Sequence, residues 1–359
     1  MKYPELNINL KKLEENIKYI KELCDNNNIN IAAVIKGFNG ILEVALKYDE
    51  LGIPIIASSR LEHLKPLQGK VKAKLMTIRI PMLSEVSDVI SITDISLNSE
   101  IEVLKALNEE AKKQDKIHSV ILMKDLGDLR EGFFNDDEII EAALLVEKEL
   151  TNLHLLGIGT NLGCYGAIVP TKGKMEELVQ VAEKIEKELG RKLEYISGGA
   201  TSTIPRIFEN DLPSRINLLR IGEAFLFPQV LRDDWNCDIS KINEDTFKLR
   251  AEVIEIKTKA SHPIGEIFKD AFGNTPKYED IGLRKRALVA IGKVDYTFID
   301  KLILKEEKAF VVGASSDHTI IDITDAKKDI KIGDIIEFDL CYATLVYLTN
   351  SKNVHINII

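Results

Sequence analysis

Hydrophobic and polar positions follow two different rhythms along this chain, and the change falls near residue 230. Before it, short apolar runs occupy 29–35, 53–58, 74–80, 94–98, 119–124, 153–160, 194–197 and 217–222. Between them lie stretches such as 10–23 and 174–189, with apolar residues three and four apart and charges elsewhere. The runs read as strands and the intervening stretches as amphipathic helices. Strands separated by helices pair in parallel. Eight such units predict an α/β fold: a (β/α)8 TIM-type barrel over residues 10–230, with its active site at the C-terminal ends of the strands.

After residue 230 the long amphipathic pattern stops. Short β-rich runs follow at 247–256, 287–291, 309–312, 319–323, 335–340 and 344–348, punctuated by Gly292, Gly313 and Gly333. This pattern predicts a C-terminal antiparallel β domain over 231–359. The alternation Leu6-Asn7-Ile8-Asn9-Leu10 makes residues 1–9 an added strand of that domain. A length of 359 residues suits two domains.

Composition narrows the classes. Apolar residues make up 45% of the chain, enough for two cores, and the net charge of −9 argues against a nucleic-acid surface. Cys24, Cys164, Cys237 and Cys341 are far apart and form no CxxC pair, which fits a reducing compartment rather than a disulfide scaffold or a metal site. The start, Met1-Lys2-Tyr3-Pro4-Glu5, lacks the apolar core of a signal peptide. No stretch approaches the roughly 20 apolar residues of a membrane span. A cytoplasmic protein with no membrane partner is expected.

Candidate chemistry gathers where the predicted strands end. Lys36 closes the run Ile29-Asn30-Ile31-Ala32-Ala33-Val34-Ile35 and is followed by Gly37-Phe38-Asn39-Gly40. A lysine held there can lose its solvation, release its proton and form a Schiff base with an aldehyde. Taken alone, a strand-end lysine is a solvated surface group. Further tips carry Lys124–Gly132, Thr160–Gly166, Ser197–Thr203 and Arg220–Glu223. The run Ser197-Gly198-Gly199-Ala200-Thr201-Ser202 suits a phosphate, because glycines let backbone N–H groups approach and hydroxyls add donors. An ordinary turn between strand and helix has the same composition. Arg220 stands inside a strongly apolar run, so it is expected to face something anionic or aromatic in the barrel mouth.

With these motifs in order, the chain resembles the fold-type III, pyridoxal-phosphate-dependent alanine racemase superfamily, and within it the ornithine racemase branch. The resemblance is carried by Ala33-Val34-Ile35-Lys36, Asp125-x-Gly-x-x-Arg130-x-Gly132 and Asn217-Leu218-Leu219-Arg220-x-Gly222. For the branch it is carried by Lys124–Gly132, Ser197-Gly198-Gly199, Pro263–Ile267, Asp270–Asn274, Arg284-Lys285-Arg286 and Gly313–His318. It covers essentially the whole chain.

The resemblance implies pyridoxal 5′-phosphate as cofactor, held by a Schiff base to Lys36, which also serves as one of two racemisation bases. It implies Arg220 at the pyridine nitrogen and Arg130 near the cofactor phenolate and the substrate carboxylate. Ser197, Thr201 and Ser202, with the backbone of Gly222 and Glu223, would line the phosphate side. Tyr342 resembles the C-terminal phosphate-binding tyrosine of related decarboxylases. Asn161 stands where alanine racemases carry a histidine beside the ring.

Racemisation needs a base on each face of Cα. Alanine racemases take the second from a partner-subunit tyrosine directly after an Ile-Gly; here Ile291-Gly292 is followed by Lys293-Val294-Asp295-Tyr296. Two candidates stay open, Tyr296 and His318, with His318 preferred because a neutral imidazole needs less adjustment. Ser316-Asp317 matches a decarboxylase Cys-Asp pair whose aspartate contacts the distal amine of ornithine. Asp317 is therefore the candidate for the substrate side-chain ammonium, with Asp295 second; alternatively Asp317 only shapes its loop. The activity implied is interconversion of L- and D-ornithine. The alternatives are an alanine or broad lysine/ornithine racemase, and a non-catalytic cofactor carrier. Completion of one site by another subunit's β domain implies a homodimer.

Overall fold

Strand β1 (Glu5–Ile8) opens the chain in a computed structural model that describes residues 2–359, and the apolar runs of the first two thirds follow as eight parallel strands. These are β2 (Asn30–Val34), β3 (Ile55–Ser58), β4 (Lys74–Thr77), β5 (Ile95–Asn98), β6 (His118–Met123), β7 (Leu153–Gly159), β8 (Tyr195–Ser197) and β9 (Leu218–Ile221). Each pairs with the next, and β2 pairs with β9 in the register Asn30↔Leu218 to Ala33↔Ile221, so the sheet closes on itself. The expected (β/α)8 barrel is present.

Side chains alternate across a strand, so every second residue enters the barrel. Ala32 and Val34, Ile55 and Ala57, Met76, Ile95 and Leu97, Ile121 and Met123, Leu156 and Leu218 fill it. The helices between strands bury one stripe each. In Leu10–Asp25 the stripe is Leu13, Asn16, Ile17, Ile20 and Cys24, at three- and four-residue spacing.

The barrel unit runs from Leu13 to Glu244, past the 230/231 boundary expected from the pattern. One reason is Asn16, whose amide donates to Asn243 O at 2.9 Å and accepts from Asn243 N at 2.8 Å. That pair ties the segment after residue 230 back to the first helix of the barrel.

The second unit comprises the residues up to Lys12 and Asp245–Ile359. It contains β10 (Phe247–Ala260), β11 (Leu283–Val289), β12 (Ile303–Leu304), β13 (Phe310–Ala314), β14 (Thr319–Asp322), β15 (Ile335–Asp339) and β16 (His355–Ile358). The sheet order is β12-β15-β10-β11-β14-β13, and β1 joins it between β10 and β16. The β1–β10 pairing is antiparallel and the β1–β16 pairing parallel, so the sheet is antiparallel with one parallel pair.

Residues 344–348, expected as a strand, lie in the helix Tyr342–Leu348. Thr344 Oγ1 accepts from Cys341 N at 3.1 Å and donates to Cys341 O at 3.0 Å, closing the first turn. Among the described residues, no helix is long and apolar enough to cross a membrane.

Candidate active site

The two-residue period that fills the barrel also decides what reaches its C-terminal mouth. Ala32 and Val34 face inward on β2, and Lys36 follows two residues later. Leu218 faces inward on β9 and Arg220 follows; Tyr195 packs against the same core on β8 and Ser197 follows. Three polar side chains thus come to the upper end of an apolar barrel from three adjacent strands.

Arg220 is 4% exposed. Its Nη1 donates to Ser197 Oγ at 2.5 Å and its Nη2 to Thr160 O at 2.7 Å. No carboxylate pairs with it among the described residues. Burial pushes its proton affinity down to about 10. It remains a cation at neutral pH, with its planar face and protons fixed.

Lys36 begins a short 3-10 turn, Lys36–Phe38, directly after the barrel ladder. Its Nζ makes no hydrogen bond among the described residues. Its proton affinity falls below the ordinary lysine value, chiefly through burial. Cys164 opposes that fall, Arg130 adds to it, Glu131 opposes it and Arg220 adds to it. An amine in this position is a better nucleophile and base at neutral pH than a surface lysine.

The loops after β6 and β7 supply Arg130, Glu131 and Cys164. Arg130 forms a two-pronged pair with Glu131, in which Nη2 reaches Oε1 at 2.5 Å and Nε reaches Oε2. Its Nη1 donates to Cys164 Sγ at 2.8 Å. Asp128, buried, accepts from Cys164 N at 3.4 Å and Tyr165 N at 3.1 Å and so ties the two loops together. Lys124 is 3% exposed and turned away from the mouth: it donates to Phe134 O and pairs with Asp136 at 3.2 Å. It closes the loop rather than serving chemistry. Sequence reasoning assigned Glu131 and Cys164 no role, although both flank Arg130 in space; their only signal was their place at strand tips.

The Ser197–Thr203 segment lies between β8 and a 3-10 turn, Thr201–Thr203. Gly199 has φ +113, and a Cβ there would lie 2.9 Å from Thr203 Oγ1, so the backbone bends where only glycine fits. Thr201 Oγ1 accepts from Ala224 N at 3.2 Å, which leaves its own proton to give. Ser202 Oγ donates to Leu162 O at 3.0 Å. Gly222 precedes the helix Glu223–Leu226, and the first N–H groups of such turns have no partner within them. Burial holds the Glu223 carboxyl above its usual range, with Asp234 adding to the rise. Thr160 Oγ1 and Asn161 Nδ2, just after β7, are buried without a hydrogen-bond partner among the described residues. Buried polar atoms of this kind are rare and call for a ligand or water. An amine of lowered proton affinity, fixed cationic donors, hydroxyl and N–H donors and orphaned polar atoms fit an aldehyde-bearing, phosphorylated heteroaromatic cofactor.

The second unit places its candidates unequally. Tyr296 is fully buried, its Oη 2.7 Å from Thr319 Oγ1, and Thr319 Oγ1 donates to Ile291 O at 2.7 Å. Burial raises the phenol's proton affinity further. As a base this tyrosine would have to leave the core and give up its bond to Thr319. Asp295 is also buried and engaged: its Oδ1 accepts from Ser351 Oγ at 2.6 Å and from Asn353 Nδ2 at 3.1 Å. It is not free for a substrate ammonium.

Ser316, Asp317 and His318 form the turn between β13 and β14, where Ser315 N donates to His318 O at 2.9 Å. Asp317 and His318 are exposed and Ser316 is half-buried. Val294 N donates to Ser316 O at 3.2 Å and Lys293 N to Ser315 O at 2.9 Å, so the turn lies against Lys293 and Val294. Lys293 is engaged as an ammonium, 3.6 Å from Asp270 and 4.4 Å from the Phe272 ring centroid. Tyr342 is half-buried at the first position of its helix.

Comparison with known proteins follows the same lines. Residues 8–229 match the family described as "Alanine racemase, N-terminal domain". The chain is 42% identical to the ornithine racemase of Acetoanaerobium sticklandii over 96% of both chains. It is 36% identical to the lysine racemase of Thermotoga maritima, again over 96% of both. Among solved structures, the alanine racemase of Clostridium difficile 630 superposes with a TM-score of 0.72 at 22% identity, over 99% of this chain and 95% of that one. That last likeness is one of fold.

Proposed function

This chain belongs to the alanine racemase family, and we propose that it is a pyridoxal 5′-phosphate-dependent amino-acid racemase that interconverts L- and D-ornithine. Lys36 carries the reading: an amine at a barrel mouth whose proton affinity is lowered by burial, with the charges of Arg130 and Arg220 acting in the same direction. The choice of ornithine is supported by the 42% identity to an ornithine racemase over nearly the full length of both chains. Lysine is the second reading, favoured by the lysine racemase relative at 36%.

When bound, the cofactor supplies an aldehyde for the amine and an electron sink that acidifies the substrate Cα proton. Thr201 would donate its free hydroxyl proton to the phosphate, beside the backbone N–H groups of Gly222 and Glu223. Ser202 would turn its hydroxyl proton from Leu162 O to the phosphate, and Tyr342 would add a phenol. Arg220 would hydrogen-bond the ring nitrogen as a guanidinium, held against Ser197 and giving up no proton. Asn161 would present its unpaired amide at the ring edge. Arg130, backed by Glu131, would take the phenolate or the substrate carboxylate.

Lys36 would move the Cα proton on one face. His318 of a second copy of this chain would serve the other, since Tyr296 is buried and Lys293 is held by Asp270. Asp317 would accept the side-chain ammonium, with Ser316 beside it. A homodimer follows from that division of labour. Four unpaired cysteines support a reducing, cytoplasmic setting.

The test is to supply the cofactor and follow loss of optical rotation for L-ornithine, L-lysine and L-alanine. Ornithine should lose rotation fastest. Fastest loss with alanine would overturn the substrate assignment. A cofactor absorbance band with no loss of rotation for any of the three would make the protein a carrier.

A further inference from the structure

Lys36 has no hydrogen bond of its own among the described residues, so the backbone turn that begins at Lys36 fixes where its amine points. Asn39 N donates to Lys36 O at 3.2 Å, and Gly40 N donates to Ile35 O at 3.1 Å. Asn39 takes the left-handed conformation at φ 53, one that asparagine tolerates better than most residues. Gly40 is left-handed too, at φ +61, and a Cβ there would lie 2.6 Å from His63 Cβ. His63 therefore packs directly on the turn, from the helix Leu61–Leu64 that follows β3.

The contact continues through both ring nitrogens. His63 Nε2 lies 2.9 Å from Asn39 Oδ1, and His63 Nδ1 lies 2.9 Å from Ser58 Oγ. Ser58 is the last residue of β3 and is fully buried. Asn39 Oδ1 can only accept, so Nε2 carries the proton and Nδ1 accepts from the Ser58 hydroxyl. A line of hydrogen bonds thus runs from the rigid end of β3 through the imidazole to the residue that closes the lysine turn. Burial lowers the proton affinity of His63, in keeping with a neutral ring.

We propose that His63, braced by Ser58 and acting through Asn39, is a positioning residue that holds the Lys36 amine in the barrel mouth. The proposal rests on the reading of Lys36 as the cofactor-bearing amine. Its consequence is electrostatic. Held inward, Nζ is desolvated beside Arg130 and Arg220. Released, it swings toward water and stays protonated at neutral pH, where an ammonium cannot capture an aldehyde. A residue that merely packs on the turn would affect stability and leave that proton balance alone.

The experiment strips the enzyme of cofactor and measures the rate at which it captures pyridoxal 5′-phosphate, by absorbance, across pH. Wild type, His63→Leu, His63→Gln and Lys36→Ala are compared. His63→Leu should move the midpoint of the rate profile up by about one pH unit and slow capture about tenfold at neutral pH. His63→Gln, which keeps one donor and one acceptor, should stay within about twofold of wild type. If His63→Leu does not fold, Ser58→Ala removes only the bracing hydroxyl and should shift the midpoint in the same direction by less. Coincident profiles for wild type and the leucine variant (or the alanine variant in its place) overturn the proposal alone, as does an equal shift with glutamine. Capture by Lys36→Ala at the wild-type rate overturns the reading of Lys36 and the proposal with it.

Discussion

Arg220 Nη1 lies 2.5 Å from Ser197 Oγ on the adjacent strand, and together they place a buried guanidinium at the top of an apolar barrel with no carboxylate paired to it among the described residues. Such a charge costs stability unless something bound there uses it. The depression from 12.5 to about 10 corresponds to a penalty on the order of 3 kcal/mol. The hydrogen bonds this charged group gives to Ser197 and Thr160 each return about 1.5 kcal/mol, which together about offset that penalty.

Arg220→Met removes the penalty and both hydrogen bonds while keeping most of the volume. The cofactor-free protein should change in stability by no more than about 1 kcal/mol, whereas cofactor affinity should fall at least tenfold. Chemical denaturation of the stripped protein reads the first, absorbance titration the second. A loss of several kcal/mol would mean that Arg220 is a structural group.

Tyr296→Phe deletes a hydroxyl that, among the described residues, reaches only Thr319, and Thr319 keeps its bond to Ile291 O. The cost should be about 1 kcal/mol of stability, with turnover within about twofold of wild type. A racemisation rate reduced by several orders of magnitude would restore the phenol to the mechanism.

Asp317 and Asp295 should separate in the same way. Asp317→Ala, at an exposed turn, should leave stability within about 0.5 kcal/mol and reduce turnover of ornithine far more than of alanine. Asp295→Asn should lower stability by about 1–3 kcal/mol, because an amide would oppose the Gly292 N–H that the carboxylate now faces at 3.5 Å. Equal losses on both substrates for Asp317→Ala would reduce that residue to a shaper of its loop.

His118 sets an acid limit on the barrel. It lies buried at the start of β6 with Nε2 2.9 Å from Ser96 Oγ, and burial depresses its proton affinity from 6.5 to about 4. Between those values the unfolded chain binds a proton that the folded chain refuses, so stability rises with pH through the window and is lost as pH falls. The loss is on the order of 3 kcal/mol in full. His118→Gln should flatten the dependence of unfolding free energy on pH between about 6.5 and 4. An unchanged slope would assign the acid limit to other groups.

What the sequence made legible was whatever followed a strict period. Lys36, Ser197 and Arg220 each stand two residues beyond an inward-facing residue, so the alternation that builds the barrel also brings them to its mouth. What it hid depended on contacts across the chain. Thr344-Leu345-Val346-Tyr347-Leu348 is apolar and partly β-branched, and only the Thr344 bonds to Cys341 mark it as a helix start. Tyr296 looked available because it follows Gly292 closely, but the turn Lys293–Tyr296 directs it into the core. His63 carried no signal, since its partners Ser58 and Asn39 meet it only when two neighbouring strand ends are side by side.

The two-base reading makes one demand that no single-base reading shares. If Lys36 serves one face of Cα and His318 the other, removing His318 should not stop proton exchange altogether. The remaining base can still take the proton of one enantiomer and return one from solvent to the same face. For His318→Asn in deuterated water, magnetic resonance should show deuterium entering Cα of one ornithine enantiomer only. Optical rotation should meanwhile stay constant over times in which wild type racemises completely. His318 is exposed at the turn between β13 and β14, so the substitution should leave stability within about 0.5 kcal/mol and the outcome can be assigned to chemistry. Continued racemisation would remove His318 from the reaction. Loss of exchange in both enantiomers, with the cofactor still bound, would mean that His318 and Lys36 do not act on separate faces.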